Sequence, residues 1–422
     1  SDFNYALYTE PNRVVLTTNW DTLQSAELKK NTALRVRGGV KSEVLQNLEK
    51  GTKVTVLDEM ENWDQVQTQD GYIGYVRKKH LTDPAEETPV KDTGYVEPDY
   101  TGNLRDHKID LAWHQVTVES ANSTFPGVMS GVTGVNVISP TWYSLYDNTG
   151  VVDGIASPSY VQQAHALGLE VWALIDDFTH REDNGVDPQE ILSYTSKRTA
   201  IIEVLMSEAD RCGFDGINVD FEQLSEDVGI HFLEFLRELS IECHKNNLVL
   251  SVDNPVPEDF TSHYDRAEQG RVVDYVIIMG YDEHYVGSTE AGSVASLPWV
   301  EKGVQDTIAE VPTERVINAM PFYTRLWKTE AGSLSSEAIG MDTAQRVISE
   351  NNAQVYWDSD VSQNYGSYES EGCTYQIWIE DAQSIAAKVQ LVSKYNLAGV
   401  AAWKLGFENS SIWQTITENL PQ

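Results

Sequence analysis

From residue 106 onward, eight short apolar runs alternate with segments long enough to be helices. They fall at 109–113, 134–139, 169–175, 216–221, 248–252, 273–278, 316–320 and 398–403. Between them, stretches such as 230–245 and 381–395 carry apolar residues at helical spacing. Apolar runs of this length, separated by crossover helices, describe parallel strands buried on both faces. Eight units in about 315 residues fit a TIM (β/α)8 barrel, an α/β fold. A doubly wound open sheet is the alternative, but no Gly-rich phosphate loop follows the first run. The connection from 320 to 398 is too long for one crossover. Its part 353–379, rich in Tyr and Trp, reads as a hairpin. An insertion between strands 7 and 8 would stand at the carboxyl end of the barrel, where such folds keep their active sites.

Upstream the pattern changes. Residues 31–84 read as five or so short strands with an Asp70-Gly71 turn, a small all-β barrel. Residues 85–105, with Pro89 and Pro98 among acidic and small residues, read as a linker. The barrel domain is then expected over 106–420. Residues 1–30 form an N-terminal segment of unclear status, in which 14–18 is a candidate strand.

The chain carries 30 Lys and Arg against 65 Asp and Glu, a formal net charge of −35. Such a chain repels phosphate backbones, which excludes nonspecific nucleic-acid binding, and anionic membranes are disfavoured for the same reason. Neutral sugars are compatible. Apolar runs fall far short of the ~20 residues that span a bilayer. Ser1 opens neither a Met start nor a signal peptide, so any export signal or membrane anchor would lie upstream of residue 1. Cys212, Cys243 and Cys373 match no metal or redox spacing and are expected as free thiols packed in the core. No histidine shows ligand spacing, so no metal site is expected.

The most informative segment is Phe214-Asp215-Gly216-Ile217-Asn218-Val219-Asp220-Phe221-Glu222. Strand side chains alternate, so Asn218, Asp220 and Glu222 share one face and Ile217, Val219 and Phe221 the other. Carboxyls close together inside a barrel cannot both ionise cheaply, and one pKa must rise. A general acid working near neutral pH needs that shift. A purely structural hydrogen-bond network at the barrel mouth fits the same pattern equally well.

The segment resembles the DGxDxDxE signature of family 18 glycoside hydrolases, with Asn218 where many members have the middle Asp. Met279-Gly280-Tyr281-Asp282, Met320-Pro321-Phe322-Tyr323 and Trp403 resemble that family's motifs at the ends of strands 6, 7 and 8. Segments such as "SPTWYSL" and "AAWKLGFE" resemble its spore-cortex and germination-associated branch. Residues 31–84 resemble bacterial SH3-like domains, which commonly bind cell-wall material.

The resemblance implies a retaining hydrolase of β-linked N-acetylglucosamine glycans acting by substrate-assisted catalysis, without metal or cofactor. Glu222 would protonate the leaving oxygen, the substrate's acetamido oxygen would attack, Asp220 would orient the acetamide, and Tyr281 would hold it. In that family the middle Asp helps set the protonation of its neighbour; Asn218 can bond Asp220 but cannot share a proton with it. Asn218, Met279, Asp282, Tyr323, Trp403 and Asn254 are expected to bind substrate. Asp253 is expected to line the groove with Asn254. Asp176 and Asp177 are expected either to bind sugar or to cap a loop, His114 to be structural, and Trp142 to belong to the core. The implied partner is a bacterial-wall or spore-cortex peptidoglycan, the small domain tethering an extracellular, wall- or spore-associated enzyme. Chitin or glycoprotein glycans are the alternative substrates. A sugar-binding protein on an inactive barrel is the alternative class, against which the presence of Glu222 counts.

Overall fold

A computed structural model describes residues 23–87 and 102–421. They fall into two compact units. In the larger, all eight expected strands form: β1 (Ile109–His114), β2 (Val137–Leu145), β3 (Glu170–Asp176), β4 (Gly216–Asp220), β5 (Val249–Pro255), β6 (Tyr275–Met279), β7 (Val316–Pro321) and β8 (Gly399–Trp403). Each pairs in parallel with the next, and β8 pairs with β1, so the sheet closes into a TIM-like barrel. Closure brings backbones very near. A Cβ on Gly399 would stand 2.0 Å from the carbonyl oxygen of Ile109, so only glycine fits there.

Alternation along each strand divides the core in two. Leu111, Trp113, Trp172, Leu174, Tyr275 and Ile277 fill the barrel interior. Ile217, Val219 and Phe221 face outward into the layer between strands and helices, as the alternation in β4 requires. The large rings set the interior: Trp172 and Tyr275 stack at 5.5 Å. Burying such a ring removes about 150–250 Å² from water, roughly 4–6 kcal/mol of apolar transfer at most.

The crossover helices include Thr195–Cys212, Gly229–Lys245, Leu297–Ile308 and Ala382–Tyr395. The last begins at Asp381, whose carboxylate accepts the N–H groups of Gln383 and Ser384 while Ser384 returns a bond to the Asp381 N–H. That reciprocal cap satisfies donors the helix leaves open. Cys212, Cys243 and Cys373 are buried and unpaired.

The insertion between β7 and β8 is larger than the hairpin expected at 353–379. It is a five-stranded antiparallel sheet made of Tyr323–Glu330, Ser333–Gly340, Gln354–Asp358, Gln363–Ser370 and Cys373–Ile379, with helix Met341–Glu350 packed on it. Its first two strands are rich in Ser, Thr, Lys and Glu, so their apolar signal is thin. Its small core is Ile339, Ile377 and Ile379 with Ala344 of the helix, against which Leu326, Val347 and Ile348 pack.

The smaller unit is an antiparallel all-β sheet around Leu34, Val54, Val56, Val66 and Val76. Its five expected strands are joined by Leu23–Glu27 and by Ala85–Glu87, which pair with one another at one edge. Thus 23–27 and 85–87, placed by composition in the N-terminal segment and the linker, belong to the sheet; an edge strand tolerates such polar sequence. The candidate strand at 14–18 and most of the linker lie outside the described residues.

Candidate active site

The carboxyl ends of the barrel strands surround a cleft of about 600 Å³. Into it project Asp220 and Glu222 from β4 and the turn after it, Asp253 from β5, Met279, Tyr281 and Asp282 from β6 and its loop, Tyr323 from the start of the insertion, and Trp403 from β8. Asp220 and Asp253 are buried. Glu222 differs from the expectation of a buried carboxyl: its side chain is open to the cleft, because β4 ends at Asp220 and the chain turns there.

The turn is pinned by Asp177. Its carboxylate, fully buried, accepts the N–H of Glu222 at 2.9 Å and that of Gln223 at 3.1 Å. Asp176 accepts the N–H groups of Phe178 and Thr179 and the Thr179 hydroxyl, at 3.1, 2.8 and 2.8 Å. Both therefore cap loops, and Asp176 also borders the cleft.

On the opposite wall the Tyr323 hydroxyl donates to Asp282 at 2.6 Å, and the rings of Tyr281 and Tyr323 meet edge to face at 6.1 Å. Asp282 holds φ at 66°, in the left-handed region. Trp403 lies 6.0 Å from Trp113 at the cleft floor.

Two expected substrate contacts are not in the cleft. Asn218 is fully buried one layer beneath Asp220. Its carbonyl accepts Trp113 Nε1 at 2.9 Å and the Ser139 hydroxyl at 3.2 Å; its amide donates to Ser251 at 3.1 Å and to Asp253 at 2.8 Å. All its bonding capacity is used there, and none of it goes to Asp220. Asn254 faces outward, where it exchanges bonds with Gln269 at 2.6 and 3.2 Å. His114 is buried against Tyr160, and burial lowers its pKa to about 4. Trp142 belongs to the core, bonded to Asn122, yet one edge reaches the cleft.

Sequence reasoning missed Phe178, Phe260 and Trp299, which line the cleft from the loops after β3 and β5 and from the helix after β6. The signal for Phe178 and Phe260 is position, two and five residues beyond a strand end, and both rings are exposed; Trp299, inside the helix after β6, carries no such signal.

The carboxyls perturb one another. Glu222 is pushed up to about 7, first by loss of hydration among its protein neighbours and then by Asp282 and Asp176. Asp177 also rises to about 7, mainly through burial, against the two N–H groups it accepts. Asp220 and Asp253 stand well above the usual carboxylate range, again chiefly through burial. An open carboxyl that keeps its proton near neutrality, beside deep carboxyls and a phenol, can protonate a leaving oxygen and stabilise positive charge opposite it.

Known proteins match this architecture. The profile "Glycosyl hydrolases family 18" matches residues 184–408, and "Bacterial SH3 domain" matches residues 30–82. A protein of Bacillus subtilis (strain 168) named "Uncharacterized glycosylase YvbX" is 23% identical over 292 residues, 67% of this chain and 84% of its own. A "Cortical fragment-lytic enzyme" of the same strain is 27% identical over 233 residues, 53% of this chain. The chain spans about half the length of that relative, 54%. The crystal structure of the C-terminal domain of a putative chitinase from Desulfitobacterium hafniense shares the fold, with a TM-score of 0.68 at 22% identity over 75% of this chain and 100% of that one. The family 18 match takes in more than half of the 422 residues, and the chain belongs to that family of glycoside hydrolases.

Proposed function

We propose that the chain hydrolyses β-linked N-acetylglucosamine glycans of the bacterial wall or spore cortex, with Glu222 as general acid and then base. The observation that carries this reading is the meeting of Glu222, Asp220 and Tyr281 in one cleft, with the Glu222 proton held up to about 7. Glu222 gives its proton to the glycosidic oxygen. The substrate's own acetamido oxygen attacks the anomeric carbon, so no protein nucleophile is required. Asp220 accepts the acetamido N–H and stabilises the positive charge of the cyclic intermediate. Tyr281 donates its hydroxyl to the acetamido oxygen and aligns it. Water, deprotonated by Glu222, then opens the intermediate with retention.

Met279, Asp282, Tyr323 and Trp403 complete the sugar site. The tethering of Tyr323 to Asp282 gives that wall a fixed shape, and Trp403 offers an indole face for stacking. The match to cortex-lytic relatives favours peptidoglycan, and we assign wall attachment to the small barrel at 31–84, in an extracellular, wall- or spore-associated setting. The matches to chitinases keep chitin as the second substrate.

Mass spectrometry of products from purified peptidoglycan beside chitin oligomers tests the reading. We expect new reducing ends at N-acetylglucosamine from the wild type. Glu222→Gln should lower turnover by several orders of magnitude while binding survives. A Glu222→Gln protein that retains most of the activity refutes the assignment.

A further inference from the structure

Strands β4 and β5 run parallel in register, with Asn218 opposite Ser251 and Val219 opposite Val252. One step further along both strands stand Asp220 and Asp253, so the two are lateral neighbours across strands roughly 4.8 Å apart, and both face the cleft. On the other flank Asp176 of β3 is registered with Asp220. Three carboxyls thus form a row across three adjacent strands.

They are not equivalent. Asp176 is turned to its own loop and accepts three donors there. Asp253 accepts one, from the Asn218 amide at 2.8 Å. The Oδ1 of Asp220 is buried and meets no donor at all. A buried acceptor in that condition is costly. Its neighbour in register is another carboxyl, which donates only when protonated.

The orientation of Asn218 decides which carboxyl it serves. Trp113 Nε1 can only donate, so the Asn218 oxygen must face it and the amide must face Ser251 and Asp253. Asn218 is therefore committed to Asp253 and cannot satisfy Asp220.

We infer that Asp253 is a positioning residue for the glycosidase reaction: it holds a proton shared with Asp220, doing from the neighbouring strand what a carboxyl at position 218 would do. This rests on the proposed role of Asp220. Two carboxyls hold one proton and one negative charge. Oδ1 of Asp253 takes the Asn218 amide, and the proton sits on Oδ2 and points to Oδ1 of Asp220. The charge rests on Asp220, free to receive the acetamido N–H.

The ionisable groups facing the pair are Glu222, Asp176, Asp177 and the Tyr281 phenol. Burial first, and then the charge of Glu222 on both, joined at Asp220 by Asp253, Asp176 and Asp177, raise the two carboxyls well above their usual range, which favours a retained proton. The Asn218 bond opposes this at Asp253 without reversing it.

The test has a kinetic arm and a spectroscopic arm. Asp253→Leu removes the donor, so Asp220 becomes a lone buried carboxyl that protonates more readily. The acid limb of its kcat profile should move up by about one pH unit or more, with kcat down about tenfold and KM changed less than about twofold. Asp253→Asn should restore the limb, because an amide can accept from Asn218 and donate to Asp220. The swap Asn218→Asp with Asp253→Asn, which moves the second carboxyl onto β4, should also keep the limb. Infrared difference spectra at pH 7 on the uninhibited full chain read the proton directly. Asp253→Asn should lose one protonated-carboxyl band. An Asp253→Leu enzyme with the wild-type limb overturns the inference, and so does an Asp253→Asn protein that keeps every such band. A wild type that cleaves no N-acetylated glycan fails the proposed function instead, and the infrared arm still reports on the shared proton.

Discussion

Asp177 touches no substrate in the scheme above, yet the geometry makes it a strong lever on the reaction. Replacing it with alanine removes the acceptor for the N–H groups of Glu222 and Gln223, now bonded at 2.9 and 3.1 Å. A fully buried donor without a partner costs about 1–3 kcal/mol. These two are only partly buried, so about 1 kcal/mol each, about 2 kcal/mol together, is the expected loss of stability. The effect on rate should be larger than that. The turn after β4 carries Glu222, the proposed proton donor, and a displacement of about 1 Å can cost about a hundredfold. Asp177→Asn keeps an oxygen in place for both donors and should remain within about 1 kcal/mol of the wild type, with most of its kcat. Denaturant unfolding gives the stability difference, and turnover of a chitin oligomer gives kcat. An alanine variant with wild-type stability and wild-type kcat would show that the turn is held by something other than Asp177.

Other expectations follow from the same geometry. Glu222 must be protonated to act and its pKa is raised to about 7, so kcat/KM should fall as pH rises through about 7; a profile flat to pH 9 refutes the raised proton. Asn218→Leu strands Trp113 Nε1, the Ser139 hydroxyl and one oxygen of Asp253, and should destabilise the barrel by about 3 kcal/mol or more, read by denaturant unfolding; a stability within about 1 kcal/mol of wild type contradicts the network. Deleting residues 1–90 should spare cleavage of soluble oligosaccharides while weakening adsorption to insoluble wall in a pelleting assay, and unchanged adsorption removes the tethering role from the small barrel.

The strands were legible because parallel barrel strands are buried on both faces, which writes each as an unbroken apolar run. The insertion was less so. Tyr323–Glu330 and Ser333–Gly340 are largely polar and form a tight hairpin, and only the first is tied into the rest of the sheet, by its long-range pairing with Cys373–Ile379. In the site, alternation placed Asn218, Asp220 and Glu222 on one face, but it does not tell depth. Two residues along a strand are about 6.6 Å, enough to bury Asn218 beneath the cleft while Asp220 borders it. The same alternation, applied to β5 from the inward Ser251, separates Asp253 from Asn254 and sends the latter outward to Gln269. For Asp176 and Asp177 the sequence offers two adjacent acids, and only the fold shows that both bond backbone N–H groups of loops.

On the proposed reading, the row of aspartates across β3, β4 and β5 would also act as a filter. A sugar bearing a carboxylate or phosphate would enter a field of its own sign, and such decorations must project away from that side of the opening. A ring whose nitrogen is a free amine would be drawn in as a cation, but without an acyl oxygen to close on the anomeric carbon it would occupy the groove unreacted. The feature proposed to steady the intermediate would thus also screen which rings reach it, by the charge on each substituent.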